Sequence, residues 1–366
     1  MLSLFKAKST PPAPPTLKTR VQQFWKWYAE VAPRFYQTIE DKQCPSLAPE
    51  VSAKVDEFLP GFSWVFGPGE NHQGHSFTLT AEGNAHRQLI TLYWLSLAPT
   101  LPGWTFYASR QPDSIKGKRI DIGEKTFNPE EFWLTPSINA ESERIDITVW
   151  HPLFAVLPER DRWTILFLFL DEILGEYGTQ QSIGKITMDS TRLAEAMPLE
   201  ELLPFVKKTE AEAGWKKYPP GEAGTIYRMP EPHDRFLRGD IKIGSTTHIA
   251  LINDYANAKG EFSDPLKGTG ADYVFVKFDA TLLPKGRESH ARGEIEEALT
   301  EALKPTDSGR VLGGAFGSRY GYIDLLLYDG QNSLKLVESA LRLKPLPAGT
   351  EIHFFAKEKR GHRIVL

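Results

Sequence analysis

The densest apolar stretch of the chain is RWTILFLFLDEILGEY at 162–177. Trp163, Ile165, Leu166, Phe167, Leu168, Phe169 and Leu170 cannot share one helical stripe, and a helix that is apolar on every side belongs in an interior. The other elements are read outward from it. Val21, Phe24, Trp25, Tyr28, Val31, Phe35 and Ile39 recur at helical spacing, with a kink or boundary expected at Pro33. Leu47, Val51, Val55, Phe58 and Leu59 predict a second helix with Pro49 in its first turn. Strand patterns at 62–66 and 76–81 flank GPGENHQG, and a helix at 86–98 and a strand at 104–109 follow. That ββαβ order then recurs: strands at 132–135 and 144–150, the apolar helix, and a strand at 182–188. Laying RQLITLYWLSLAP on RWTILFLFLDEIL places Arg87 over Arg162, Trp94 over Phe169 and Ser96 over Asp171. The pattern predicts an internal duplication, with two ββαβ units forming one continuous sheet and both helices packed on one sheet face.

A short strand at 119–123 and a capped turn at 128–131 lie between the repeats, and a helix at 199–217 follows them. Pro and Gly at 218–224 read as a linker. Strands are expected at 225–229 and 240–253, then a polar, Gly-rich loop at 256–270. The last stretch reads as strand 272–279, helix 289–303, strands 310–316 and 322–328, a helix from Asn332 to 342 and a strand at 350–356. This βαββαβ order is that of a ferredoxin-like domain. The expected fold class is therefore α+β, with a flexible lead at 1–18, an N-terminal domain of two ββαβ repeats at 19–217, a strand-containing connection at 218–270 and a ferredoxin-like domain at 271–366.

Composition narrows the functional classes. The chain has 366 residues and a formal net charge of −4, with 41% hydrophobic and 25% charged residues. That is ordinary globular composition. The balance gives no electrostatic reason to expect nucleic acid as a partner. The apolar run at 165–170 is far shorter than the ~18 residues of a membrane span. No long apolar run of signal-peptide type opens the sequence. A single cysteine, Cys44, permits no internal disulfide. The expected setting is cytoplasmic.

Candidate chemistry is sparse. Asp171, Glu172 and Glu176 sit where the apolar helix ends, and buried carboxylates acquire raised pKa values suited to acid–base work. The structural alternative is that they face solvent, cap a loop or fasten a turn. Tyr177 adjoins them as a candidate binding residue. His72 and His75 have an HxxH spacing beside Glu70, yet zinc sites take three or four protein ligands. Exposed hairpin histidines account for them, and no metal or cofactor is expected. Gly313-Gly314-Ala315-Phe316-Gly317-Ser318-Arg319 lacks the order of a phosphate loop. Its turn residues Arg319 and Tyr320 are candidates for binding, with a plain hairpin as the alternative. Arg238-Gly239-Asp240 matches an adhesion tripeptide by coincidence. No Gly-x-Ser-x-Gly is present, and Cys44 has no histidine nearby in sequence.

LDEILGEYGTQQSIGKI at 170–186 resembles an LDxxLGEY stretch in uncharacterised bacterial proteins, and FWKWY, LAPTLPGW and RIDIG are of similar flavour. The resemblance covers mainly residues 19–190. It implies a bacterial cytoplasmic protein of unknown function and transfers no site residue. Two functions remain. One is a non-catalytic binding or regulatory protein, immunity- or adaptor-like, whose partner is a protein. The other is a hydrolase-type enzyme using Asp171, Glu172 and Glu176.

Overall fold

A computed structural model describes residues 14–123 and 125–366. Most of the expected flexible lead at 1–18 lies outside the described residues. Within them, Leu17 opens a helix that runs to Glu40. It passes through Pro33, which is exposed and marks no boundary. The protein mixes helices and sheets and divides into two compact units, each assembled from separated segments. One comprises Ala32–Ser52 and Gly61–Ala223. The other comprises the described residues up to Val31, Ala53–Pro60 and Gly224–Leu366.

The first of these units holds two small sheets. In one, Ser63–Pro68 pairs antiparallel with His75–Thr80, and that strand pairs parallel with Trp104–Tyr107. The helix Ala85–Ser96 makes the crossover. Asn84 starts it by accepting the backbone N–H groups of His86 and Arg87. In the other sheet, Trp133–Asn139 pairs antiparallel with Arg144–Trp150, which pairs parallel with Ile183–Met188. Met197–Pro198 closes its far edge. The two sheets are separate, whereas one continuous sheet was expected. The residues between them, 108–132, are spent on loop, a two-stranded ribbon (Ile120–Ile122 with Lys125–Phe127) and a 3₁₀ turn.

Alternation along Arg144–Trp150 turns Ile145, Ile147 and Val149 inward. The helix Glu159–Leu174 covers them with Ile165, Leu166, Phe169, Leu170 and Ile173. Phe169 meets Phe132 edge-on at 5.1 Å. Burying a ring of this size contributes roughly 1.5–3 kcal/mol. The helix is not enclosed on every side, as its composition had suggested. It packs on one sheet face, which leaves Phe167 and Leu168 each 42% exposed, with Trp163 stacked on Phe167.

The second unit is built on a seven-stranded antiparallel sheet. Its order is Thr225–Arg228, Ile241–Thr246, Gly309–Gly317, Tyr320–Leu327, Asp272–Asp279, Glu351–Phe354 and Ile364–Val365. The helices Glu288–Leu303 and Gly330–Arg342 pack on one face against Val274, Val276, Ile323 and Leu325. The strand expected at 240–253 ends at Thr246, and Ile249–Asn257 is a helix. The Thr246 hydroxyl accepts the His248 N–H and turns the chain there. The last helix opens at Gly330 rather than Asn332, and the Asn332 amide bonds back to Asp329.

Candidate functional site

Gly175 ends the apolar helix, and Glu176–Ser182 is a second, short helix rather than a plain turn. Gly175 adopts φ +74°, where a side chain is strained. A Cβ there would lie 2.8 Å from Pro112 Cδ and 3.0 Å from the Arg110 carbonyl oxygen. That tightness seats the segment 108–113 across the junction. The Glu176 N–H donates to the Arg110 carbonyl at 3.0 Å, and the Asp113 N–H donates to the Glu172 carbonyl at 2.7 Å. The Tyr177 hydroxyl donates to the Ala108 carbonyl at 3.3 Å. Burial pushes that hydroxyl's pKa up to about 12. Tyr177 therefore fastens the loop.

The three carboxylates have three different surroundings. Glu176 is 2% exposed. It accepts the Thr80 hydroxyl at 2.5 Å, the Gly83 N–H at 2.9 Å and the Gln88 amide at 3.4 Å. Those bonds tie the junction to the loop after His75–Thr80. Glu172 pairs with the Lys118 ammonium, which also bonds Asp113 at 2.8 Å. It lines a cavity of about 510 Å³ together with Glu70, His72, Arg110 and Asp113.

Asp171 lines a different cavity, of about 550 Å³, whose wall includes Glu82, Arg144, Phe167, Leu168 and Thr179. Desolvation raises its pKa from 3.8 to about 6, and the charges of Glu176 and Glu82 add to the rise. The Thr179 hydroxyl, buried without a hydrogen-bond partner of good geometry, and the Arg110 guanidinium pull the other way. Arg110 is itself held by Glu82 at 2.7 Å. Glu82 sits at φ +50°, a costly conformation for a non-glycine residue. Asp171 is thus a carboxylate of raised proton affinity beside an apolar wall, mostly ionised at pH 7 and increasingly protonated as pH falls toward about 6. It can accept or donate a hydrogen bond, or meet a cation, at little desolvation cost.

The remaining candidates are placed apart. His72 lines the Glu172 cavity at φ +58°. The His75 ring packs on Tyr36 at 4.7 Å, and its Nε2 lies 2.9 Å from Glu40 Oε1 without hydrogen-bond geometry. Among the described residues no group of three or more His, Cys, Asp or Glu is placed to hold a metal ion. Nor is any helix among them long and apolar enough to cross a membrane.

In the other unit, Arg319 pairs with Asp279 at 3.0 Å and leans over Tyr320. Asp240 accepts the N–H groups of Arg319 and Tyr320 and the Tyr322 hydroxyl, the last at 2.6 Å. The hairpin is therefore locked from below. The adhesion-like tripeptide is also spent internally: Asp240 on that hairpin, and Arg238 on Asp324 at 2.5 and 3.0 Å. The one sequence signal for this buried pair was Asp324 standing inside YIDLLLY, an otherwise apolar strand.

No family model matches the chain, and comparison with curated proteins and with solved structures finds no match to either.

Proposed function

We propose that this is a non-catalytic binding or regulatory protein, adaptor- or immunity-like, and that the Asp171 cleft recognises a segment of a partner protein. One observation carries the reading. Of the three carboxylates at the helix end, Glu172 is held by Lys118 and Glu176 by Thr80 and Gly83, whereas Asp171 has no ion-pair partner among the described residues and lines a cleft with the exposed Phe167 and Leu168. Glu82 and Glu176 line the same cleft, but Glu82 is held by Arg110 and Glu176 by Thr80 and Gly83, so neither is free to serve as the second acid, base or nucleophile that hydrolysis needs.

The raised pKa of Asp171 favours a second reading, a hydrolase-type enzyme with Asp171 as its acid or base. Parallel capture from host lysate on wild type, on Asp171→Asn and on Phe167→Ser/Leu168→Ser separates the two. The binding reading expects one protein retained by wild type and lost from both variants. A monodisperse monomer that retains nothing refutes it. So does turnover of an ester, phosphoester, glycoside or peptide substrate that disappears in Asp171→Asn.

The two ββαβ units are inferred to be copies of one ancestral unit. Each has an antiparallel hairpin, a crossover helix and a parallel third strand, and Trp94 and Phe169 are both buried. The strand order around Asp272–Asp279 supports a ferredoxin-like reading of the other unit, with strands added at both edges. The LDxxLGEY resemblance adds a bacterial source to the proposal.

A further inference from the structure

A cavity of about 520 Å³ lies in the second unit, between the segment 229–241 and the helix Ile249–Asn257. Its volume is that of a small-molecule site. Met229, Phe236, Ile252 and Tyr255 supply apolar wall, and the last two are nearly inaccessible. Three cations line it, Arg235, Arg238 and Lys259, against one acid, Glu231.

The cations are not equivalent. Arg238 is buried at the base and gives its charge to Asp324. Its guanidinium is also packed over the rings of Phe275, Tyr322 and Phe355 at 4.8–5.0 Å. It offers a ligand a floor rather than a free charge. Arg235 and Lys259 are exposed, and neither has an ion-pair partner among the described residues.

Two further features point to a ligand. The buried His233 Nδ1 has no hydrogen-bond partner, although His233 lines the cavity. Arg238 and Lys259 both hold left-handed backbone, φ +72° and +51°. Such strain collects where a structure binds something.

We propose that this cavity binds a small organic monoanion, a carboxylate carried on an apolar body. The body fills the space between Phe236, Ile252 and Tyr255. Arg235 and Lys259 hold the carboxylate at the mouth through charge-assisted hydrogen bonds. Phosphate sites are often built on several backbone donors. The Gly239 N–H is already committed to the Phe236 carbonyl at 2.9 Å. An amine on the same body would meet a lining in which Arg235 and Lys259 outnumber Glu231.

The test is calorimetric titration of the full chain with 4-phenylbutyrate and 4-phenylbutylamine, which share one body and carry opposite charges. The acid saturates a single site, and the amine binds about tenfold or more weakly, a difference of ~1.4 kcal/mol. Arg235→Gln/Lys259→Gln, changed at two exposed positions, weakens the acid by about the same factor. Ile252→Trp fills the cavity and removes both. If that core variant does not fold, the surface double variant still decides. Absence of saturable acid binding overturns the proposal, as does equal affinity for the two probes or an isotherm unchanged in the double variant. Phe167→Ser/Leu168→Ser leaves the acid isotherm unchanged, so this site and the Asp171 cleft stand or fall separately.

Discussion

Replacing Asp171 by Asn makes the protein more stable at neutral pH, and the structure sets the scale. The Asp171 pKa is raised from 3.8 to about 6. At about 1.36 kcal/mol per unit, that rise of about two units is an upper bound near 3 kcal/mol. Asp171 is only partly buried, and solvent screening brings the expectation to about half of that, ~1.5 kcal/mol. The sign follows from linkage. A folded pKa above the unfolded one means that the folded state prefers the proton. The stabilisation is complete below 3.8 and is lost as pH rises through about 6. Asn mimics the protonated acid at every pH, so the variant's advantage is largest above pH 7 and vanishes near pH 4.

Urea unfolding of both proteins from pH 4 to 7.5 reads this directly, as a shift in midpoint at constant slope. The two compact units need not unfold together, so the comparison uses the transition that the substitution moves. A variant no more stable than wild type at pH 7.5 refutes the reasoning. A gain of equal size at pH 4 and 7.5 refutes it too, since ionisation would not be its source. A stabilising substitution that abolishes partner capture would mark Asp171 as kept at a cost to the fold, as functional groups often are.

Glu176→Ala strands the Thr80 hydroxyl and the Gly83 N–H, and equilibrium unfolding should show a loss of about 3 kcal/mol. Gly175→Ala puts a Cβ against Pro112 at an unfavourable φ, costing about 2 kcal/mol, and hydrogen exchange at the Glu176 amide accelerates as the 108–113 segment loosens. Arg238→Met leaves Asp324 buried and uncompensated at a cost of roughly 3–5 kcal/mol, whereas Arg238→Met/Asp324→Leu recovers most of it. A double variant as unstable as the single would show that the pair does more than balance charge.

Elements whose period was unambiguous were legible in the sequence. Arg144–Trp150 alternates because one face is core, and Gly330–Arg342 carries a clean helical stripe. The errors fall where a short apolar run satisfies both periods. Ile249–Ile252 continues the apolar pattern of 241–246, while in the structure the Thr246 hydroxyl accepts the His248 N–H where the chain turns. The separation of the two small sheets was not legible either. Repeat order fixes pairing inside a unit but says nothing about which edges meet, and residues 108–132 hold no pattern that forbids or requires joining.

The carboxylates at the helix end show the same limit at the level of a site. Sequence places Asp171, Glu172 and Glu176 within six positions, which invites one site. Successive helical residues are about 100° apart, so Asp171 and Glu172 open into different cavities. Gly175 then breaks the helix and sends Glu176 inward to Thr80 and Gly83, which are almost a hundred residues away in sequence. No local pattern encodes those partners. Under the proposed duplication the sequence also carries a contrast between the two helices: Ser96 and Leu97 where the second has Asp171 and Glu172. Ser96 bonds back to the Tyr93 carbonyl within its own helix, as a hydroxyl on a helix commonly does. Asp171 has no such local use. On the proposed duplication, Glu172, which lies over Leu97, is spent on Lys118, and this leaves Asp171 as the difference at the helix end that has no ion-pair partner among the described residues.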